Sequence, residues 1–216
     1  MNKQILILLF FVPTILSAQQ TQKVVDKATN EIFYVLKSDK KTKHGQYNKF
    51  SYQNKLLVNG YYKHGAKDSI WECFDFDGKL NLKYDFTKNA IVFYEPTDRE
   101  KNRTYRIVNG NGSDTILSKP PIYLGGDDFI TNETVRNTRY PPIAQERRIS
   151  GKLHVLFTVD KFGKTSNYYV DNPLGYGLDE EVIRVMKLIP DNWLPGQLNG
   201  QPIDVEIVYP FQFILN

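Results

Sequence analysis

The chain has 216 residues, a formal net charge of +4 at pH 7, 41% hydrophobic and 13% aromatic residues, and a single cysteine. Its 28 basic and 24 acidic residues are interspersed rather than blocked, which excludes the continuous basic stripe that a nucleic-acid surface needs. The lone Cys73 excludes an internal disulfide, so packing has to stabilise the fold.

At the N-terminus Lys3 precedes an apolar run from Ile5 to Leu16, and Leu16-Ser17-Ala18 follows with the small residues a signal peptidase reads. The expected element is a secretory signal peptide over residues 1–18, cleaved between Ala18 and Gln19. Its apolar run is broken by Pro13 and falls short of the ~20 residues of a spanning helix. No Cys follows the cleavage point to accept a lipid anchor, and no later apolar run has spanning length. The expected product is soluble, periplasmic or otherwise in the cell envelope, and touches a membrane only indirectly unless the leader is retained. It is long enough for two small domains with separate cores.

Residues 24–95 contain an internal repeat. A shift of 24 residues places Tyr47 on Trp71, Phe50 on Phe74, Tyr52 on Phe76, Lys55 on Lys79, Leu56 on Leu80, Val58 on Leu82 and Tyr62 on Phe86. Gln53-Asn54 and Asp77-Gly78 fall at the polar turn of each unit, so each reads as a β-hairpin, and one hairpin alone is too small to be stable. Stacked units predict a continuous antiparallel sheet, with Val24 to Leu36 supplying leading strands and Ile91 to Tyr94 a degenerate continuation. The pattern resembles the MORN-type repeats of bacterial envelope proteins, in which a Gly and an aromatic residue recur at each hairpin start; Gly45 of the first unit is Ser69 in the second.

Residues 96–127 read as linker and lead-in, with charges crowded from Asp98 to Arg103 and then Asn109-Gly110-Asn111-Gly112. A second domain is expected over residues 128–216. Pro141-Pro142 opens a short helix that ends at Ile149-Ser150-Gly151. Leu153, Val155, Phe157 and Val159 alternate with His154, Leu156, Thr158 and Asp160 as a half-buried strand, and Asp160 to Gly163 turns it into a partner strand from Lys164 to Val170. Leu178, Val182, Val185, Met186 and Ile189 form one helical stripe behind an acidic first turn. Trp193-Leu194-Pro195-Gly196 predicts a turn that folds the indole onto the sheet, and Ile203 to Phe213 alternates as a long final strand. The predicted fold class is α+β: an antiparallel β-hairpin repeat sheet, then a three-stranded antiparallel sheet with two helices on one face and a wet opposite face carrying His154, Thr158, Asp204 and Glu206.

Tyr140-Pro141-x-x-Ala144, Gly151, Val159-Asp160, Gly163, Leu178-Asp179-x-Glu181, Trp193-x-Pro195-Gly196, Gly200 and Pro210-Phe211-x-Phe213 resemble, in order and spacing, the C-terminal domain of TonB-type energy transducers. The resemblance implies a domain that grips the short N-terminal box of an outer-membrane receptor by strand addition, in TonB-dependent transport across the outer membrane. Carried over by position, the pairing edge is Ile203, Asp204, Val205, Glu206, Ile207, Val208 and Tyr209.

A non-enzymatic binding and coupling protein is therefore expected, with no cofactor and no metal. His44 and His64 each precede a Gly, a turn pattern without zinc-ligand spacing, and Asp75-x-Asp77-Gly78 lacks the distal ligands of a calcium loop. Cys73 reads as a strand-buried thiol or, less favoured, a reactive one. Two alternatives stay open: a true energy transducer whose leader is an uncleaved anchor, and a structural periplasmic module without a peptide ligand.

Overall fold

The computed structural model describes residues 20–108 and 117–215. The signal peptide and the Ala18–Gln19 cleavage point lie outside the described residues. Among the described residues no helix is long and apolar enough to cross a membrane. The architecture is α+β.

Strands β1 (Thr21–Asp26), β2 (Glu31–Leu36), β3 (Lys43–Phe50), β4 (Leu56–Lys63), β5 (Ala66–Phe74), β6 (Leu80–Asp85) and β7 (Ala90–Tyr94) form one antiparallel sheet in chain order. The 24-residue repeat is visible in its backbone. The β3–β4 hairpin carries a one-residue bulge at Leu57, and the β5–β6 hairpin carries one at Asn81. Ser51 Oγ accepts the N–H groups of Gln53 and Lys55, while Asp75 Oδ1 accepts those of Asp77 and Lys79. The left-handed turn position is Asn54 in the first unit (φ 62°) and Gly78 in the second (φ 83°), residue types that tolerate it. Tyr47, Leu57, Val58, Trp71, Cys73, Leu82 and Tyr84 are buried on the face turned toward the rest of the chain.

The chain continues through α1 (Asp98–Lys101), β8 (Thr104–Ile107), β9 (Ile122–Tyr123), α2 (Asp127–Asn137), α3 (Pro142–Glu146), β10 (Gly151–Val159), β11 (Thr165–Val170), α4 (Leu178–Met186), β12 (Trp193–Leu194), β13 (Gly196–Leu198), β14 (Gln201–Ile203) and β15 (Val205–Phe213). The expected strands β10, β11 and β15 are present, and β8 joins them in a four-stranded antiparallel sheet of order β11-β10-β15-β8. Leu153, Val155, Phe157 and Val159 of β10 and Ile207, Tyr209 and Phe213 of β15 pack against Ile130 of α2, Ala144 of α3 and the stripe Leu178, Val182 and Met186 of α4. Trp193 folds back as expected, its ring 5.1 Å from Tyr123 and 5.7 Å from Phe157.

Four sequence expectations need correction. The segment 96–127 is not only a linker, because α1, β8 and β9 are built from it. The lead-in also contains a helix, α2, that the sequence pattern does not signal, since its buried positions are largely polar: Asp127, Asp128, Asn132 and Thr134 beside Ile130. The long final strand is interrupted, with Ile203 paired to Gly196 in a separate β13–β14 hairpin and the continuous strand beginning at Val205. The outer sheet face is also drier than its alternation suggests, for Leu156 is fully buried and Thr158 is 5% exposed.

Candidate partner-binding edge

The candidate site is the edge of β15 that faces away from β10, and its chemistry follows from which backbone groups point there. In an antiparallel strand these groups alternate direction residue by residue. The His154 carbonyl accepts from Asp171 and its N–H donates to Asn172, so His154 turns its backbone toward β11 and away from its β15 neighbour Pro210. On the other side of β15 the Asp204 carbonyl accepts the N–H of Val108 at 3.2 Å. Both observations give the same parity: the even residues of β15 direct their backbone outward, and Val205, Ile207 and Tyr209 direct theirs into the β10 ladder.

β8 occupies the first half of that edge. Val205 lies opposite Ile107, Glu206 opposite Arg106, Ile207 opposite Tyr105 and Val208 opposite Thr104. The expected open edge from Ile203 to Tyr209 is therefore corrected: Val205, Glu206, Ile207 and Val208 are covered by a strand of the same chain. Ile203 belongs to β14, and the Asp204 carboxylate is held by the Lys161 N–H at 2.8 Å. Only Tyr209 of the seven lies past the end of β8, and with Pro210, Phe211, Gln212 and Phe213 it forms the half that no strand among the described residues covers.

Several contacts fix β8 in place. Arg103, just before it, has a side chain 4% exposed that meets the 1% exposed Asp127 carboxylate at 2.5 Å and lies 4.9 Å over the Tyr209 ring. Burial opposes the Arg103 charge, but Asp127 more than restores it and holds the guanidinium above its ordinary pKa. Arg106 reaches Glu206 at 3.4 Å and Asp171 at 3.8 Å, while the Tyr169 hydroxyl donates to Glu206 at 2.9 Å. This lattice over the outer face occupies the Glu206 carboxylate and helps to cover Leu156.

Beyond β8 a groove of about 820 Å³ runs along the uncovered half-edge. Thr131, Thr134 and Val135 of α2 form one wall, Lys152 and His154 the other, and Arg103 closes the end. Tyr209 is buried against the α2 wall, its hydroxyl 3.3 Å from Thr131 Oγ1, and burial pushes its phenol up to about 12. By the parity above, the groove receives the Pro210 carbonyl and the Gln212 N–H and carbonyl. Pro210 has no N–H to offer, which suits an edge position.

Sequence reasoning missed β8 and the α2 wall. Thr104-Tyr105-Arg106-Ile107 does alternate polar and apolar β-formers, a signal short enough to be lost in the charged segment around it. Elsewhere, Cys73 is 1% exposed beside the Leu124 carbonyl, and burial pushes its thiol up to about 12, the mark of an inert thiol. The His44 and His64 rings lie 4.9 Å apart, and among the described residues no group of three His, Cys, Asp or Glu side chains converges.

Neither a curated protein nor a solved structure matches the chain. Residues 136–215 match the model of the family described as Gram-negative bacterial TonB protein C-terminal, and this part of the chain, from the end of α2 through β15, is a TonB-like domain.

Proposed function

We propose that the chain is a non-enzymatic binding and coupling protein of the bacterial cell envelope. A cleaved leader directs it across the inner membrane, and its TonB-like domain then engages a protein partner in TonB-dependent transport across the outer membrane. The partner presents an extended segment, such as the N-terminal box of an outer-membrane receptor. The observation that carries this reading is the half-edge from Tyr209 to Phe213, which lies inside the family-matched region and borders a groove walled by α2 and Arg103 from outside it. In this reading residues 24–95 act as MORN-type repeats that dock a second envelope component.

One observation favours a different reading, a structural module without a peptide ligand. β8 already satisfies half of the edge that the TonB resemblance assigns to a partner. Calorimetric titration of the mature protein with receptor N-terminal peptides separates the two. Binding that weakens at least tenfold in Gln212→Pro, with thermal melting unchanged, supports strand addition, because that substitution deletes the N–H that the half-edge of β15 directs into the groove. Absence of binding by the folded protein leaves the structural module. The mass of the protein recovered from envelopes decides the transducer reading, since a chain beginning at Gln19 lacks an anchor.

A further inference from the structure

A second cleft, of about 400 Å³, lies between the seven-stranded sheet and the TonB-like domain with its lead-in. Tyr62 and Trp71 line it from the sheet, and Tyr123 and Phe129 line it from the opposite side. Its apolar walls and volume fall within the range of small-ligand sites. Two lysines, Lys43 and Lys67, enter it beside these rings.

The charges around the cleft do not balance. Glu31 is shared by Lys43 at 3.5 Å and Lys49 at 3.7 Å, and Lys49 also holds Glu133 of α2 at 2.8 Å. Asp191, the other carboxylate lining the cleft, is taken by Lys164 at 3.8 Å and by the Thr165 N–H at 3.0 Å, so four ammonium groups stand against three carboxylates and the one left over is Lys67. No carboxylate among the described residues lies within 4.0 Å of the Lys67 ammonium, which sits 4.6 Å from the Trp71 ring and 5.0 Å from the Phe86 ring. Ring faces attract a cation but carry no net charge, so they leave the excess in place. Burial is the main cause that pulls Lys67 down to about 8, with Cys73 acting to raise it and nearby Lys43 to lower it by smaller amounts.

We infer that this cleft binds a small organic monoanion, a carboxylate on a flat apolar body, with Lys67 pairing the carboxylate and the Tyr62, Trp71 and Phe129 rings enclosing the body. An apolar body alone would leave the Lys67 charge unanswered, and an inorganic anion alone would leave the aromatic walls unused. Because the walls come from both units of the fold, an occupant bridges the repeat sheet and the TonB-like domain. The inference is independent of the β15 edge, from which this lining is distinct.

The test is calorimetric titration of the mature protein with 2-naphthoate and, as its uncharged counterpart, 2-naphthamide. The expected result is naphthoate binding at least tenfold tighter than naphthamide. Lys67→Met, which keeps the aliphatic stem over Trp71, should abolish that preference, whereas Lys67→Arg should retain it. Lys101→Met, on α1 outside the cleft, is the matched control for loss of one surface charge and should leave the preference unchanged. Absence of naphthoate binding by the wild-type protein overturns the inference, as does equal affinity for acid and amide. If Lys67→Met fails to fold, as judged by its thermal melt, the wild-type comparison of acid with amide and the Lys67→Arg titration still decide the matter.

Discussion

The backbone N–H of Phe76 donates to the Asp128 carboxylate at 2.6 Å, and one repeat earlier the N–H of Tyr52 donates to Asn132 at 2.9 Å. Residues separated by 24 positions, in the turns of successive hairpins, are thus gripped by residues one helical turn apart on α2, which lie on the same helix face. Lys49 and Cys73 are related by the same offset, and both are buried on this side of the sheet, against Glu133 and the Leu124 carbonyl respectively. The repeat therefore supplies a periodic docking face, and α2 is the element that reads it. Asp128→Ala should leave the Phe76 N–H without its partner and cost about 1–3 kcal/mol. Asp128→Asn, which keeps an acceptor oxygen, should cost less. Urea denaturation midpoints check both, and an unchanged midpoint in Asp128→Ala would place the docking energy elsewhere.

This interface also explains what could and could not be seen in the sequence. The hairpins, the stripe of α4 and the return of Trp193 are set by residues close in sequence, whose periodicity or turn chemistry is local. α2 has no such signature, because Asp127, Asp128 and Asn132 are buried for the partners they meet in other elements: Arg103, Phe76 and Tyr52. β8 was hidden for a related reason. Its four residues pair with Val205–Val208, about a hundred positions away, and nothing near them announces that pairing. The site moved along β15 because the strand was legible while the identity of its second neighbour was not.

The same turn closes three hairpins, at Asn54, Gly78 and Gly163, yet its tolerance to substitution should differ. Gly78 and Gly163 have nearly equal φ, 83° and 79°, so an alanine at either pays the left-handed backbone penalty of roughly 1–2 kcal/mol. A Cβ at Gly78 meets nothing within 4 Å, whereas one at Gly163 would lie 2.1 Å from the Trp193 carbonyl oxygen, a backbone atom that cannot rotate away. Gly78→Ala should therefore fold with a modest loss in stability. Gly163→Ala should lose substantially more and disturb the Trp193 environment. Denaturation curves followed by tryptophan fluorescence separate these outcomes, and equal losses would contradict the assigned contact.

Cys73 gives a pH dependence with a definite sign. Burial raises its folded pKa from 9.0 to about 12, so the unfolded chain gives up the thiol proton first as pH rises. Its contribution is fully present below about pH 9 and is lost as pH climbs toward 12, with a limiting slope of about 1.4 kcal/mol per pH unit. Lys67, lowered to about 8, acts in the opposite direction over part of that window. Cys73→Val should flatten the alkaline decline seen in the wild type. In the native protein at pH 8 the thiol should react with a disulfide reagent only as fast as the sheet opens; immediate reaction would contradict its burial.

Proline substitutions test the backbone parity of β15 directly. Ile207 directs its N–H into the β10 ladder opposite Phe157, in the interior of the sheet. Ile207→Pro deletes that donor and orphans a buried carbonyl, a loss of about 1–3 kcal/mol before any distortion of the strand. Gln212 is exposed near the strand's end, and its N–H faces the groove, where no strand among the described residues pairs with it. Gln212→Pro should therefore leave the denaturation midpoint within about 0.5 kcal/mol of wild type, the range of a surface change. Reversal of this order, with Gln212→Pro the more damaging, would mean that the even residues face β10 and that the uncovered half-edge presents a different set of groups to any partner. The pair is informative because both substitutions lie in one strand and remove one N–H each, so their difference reports the direction in which each N–H points.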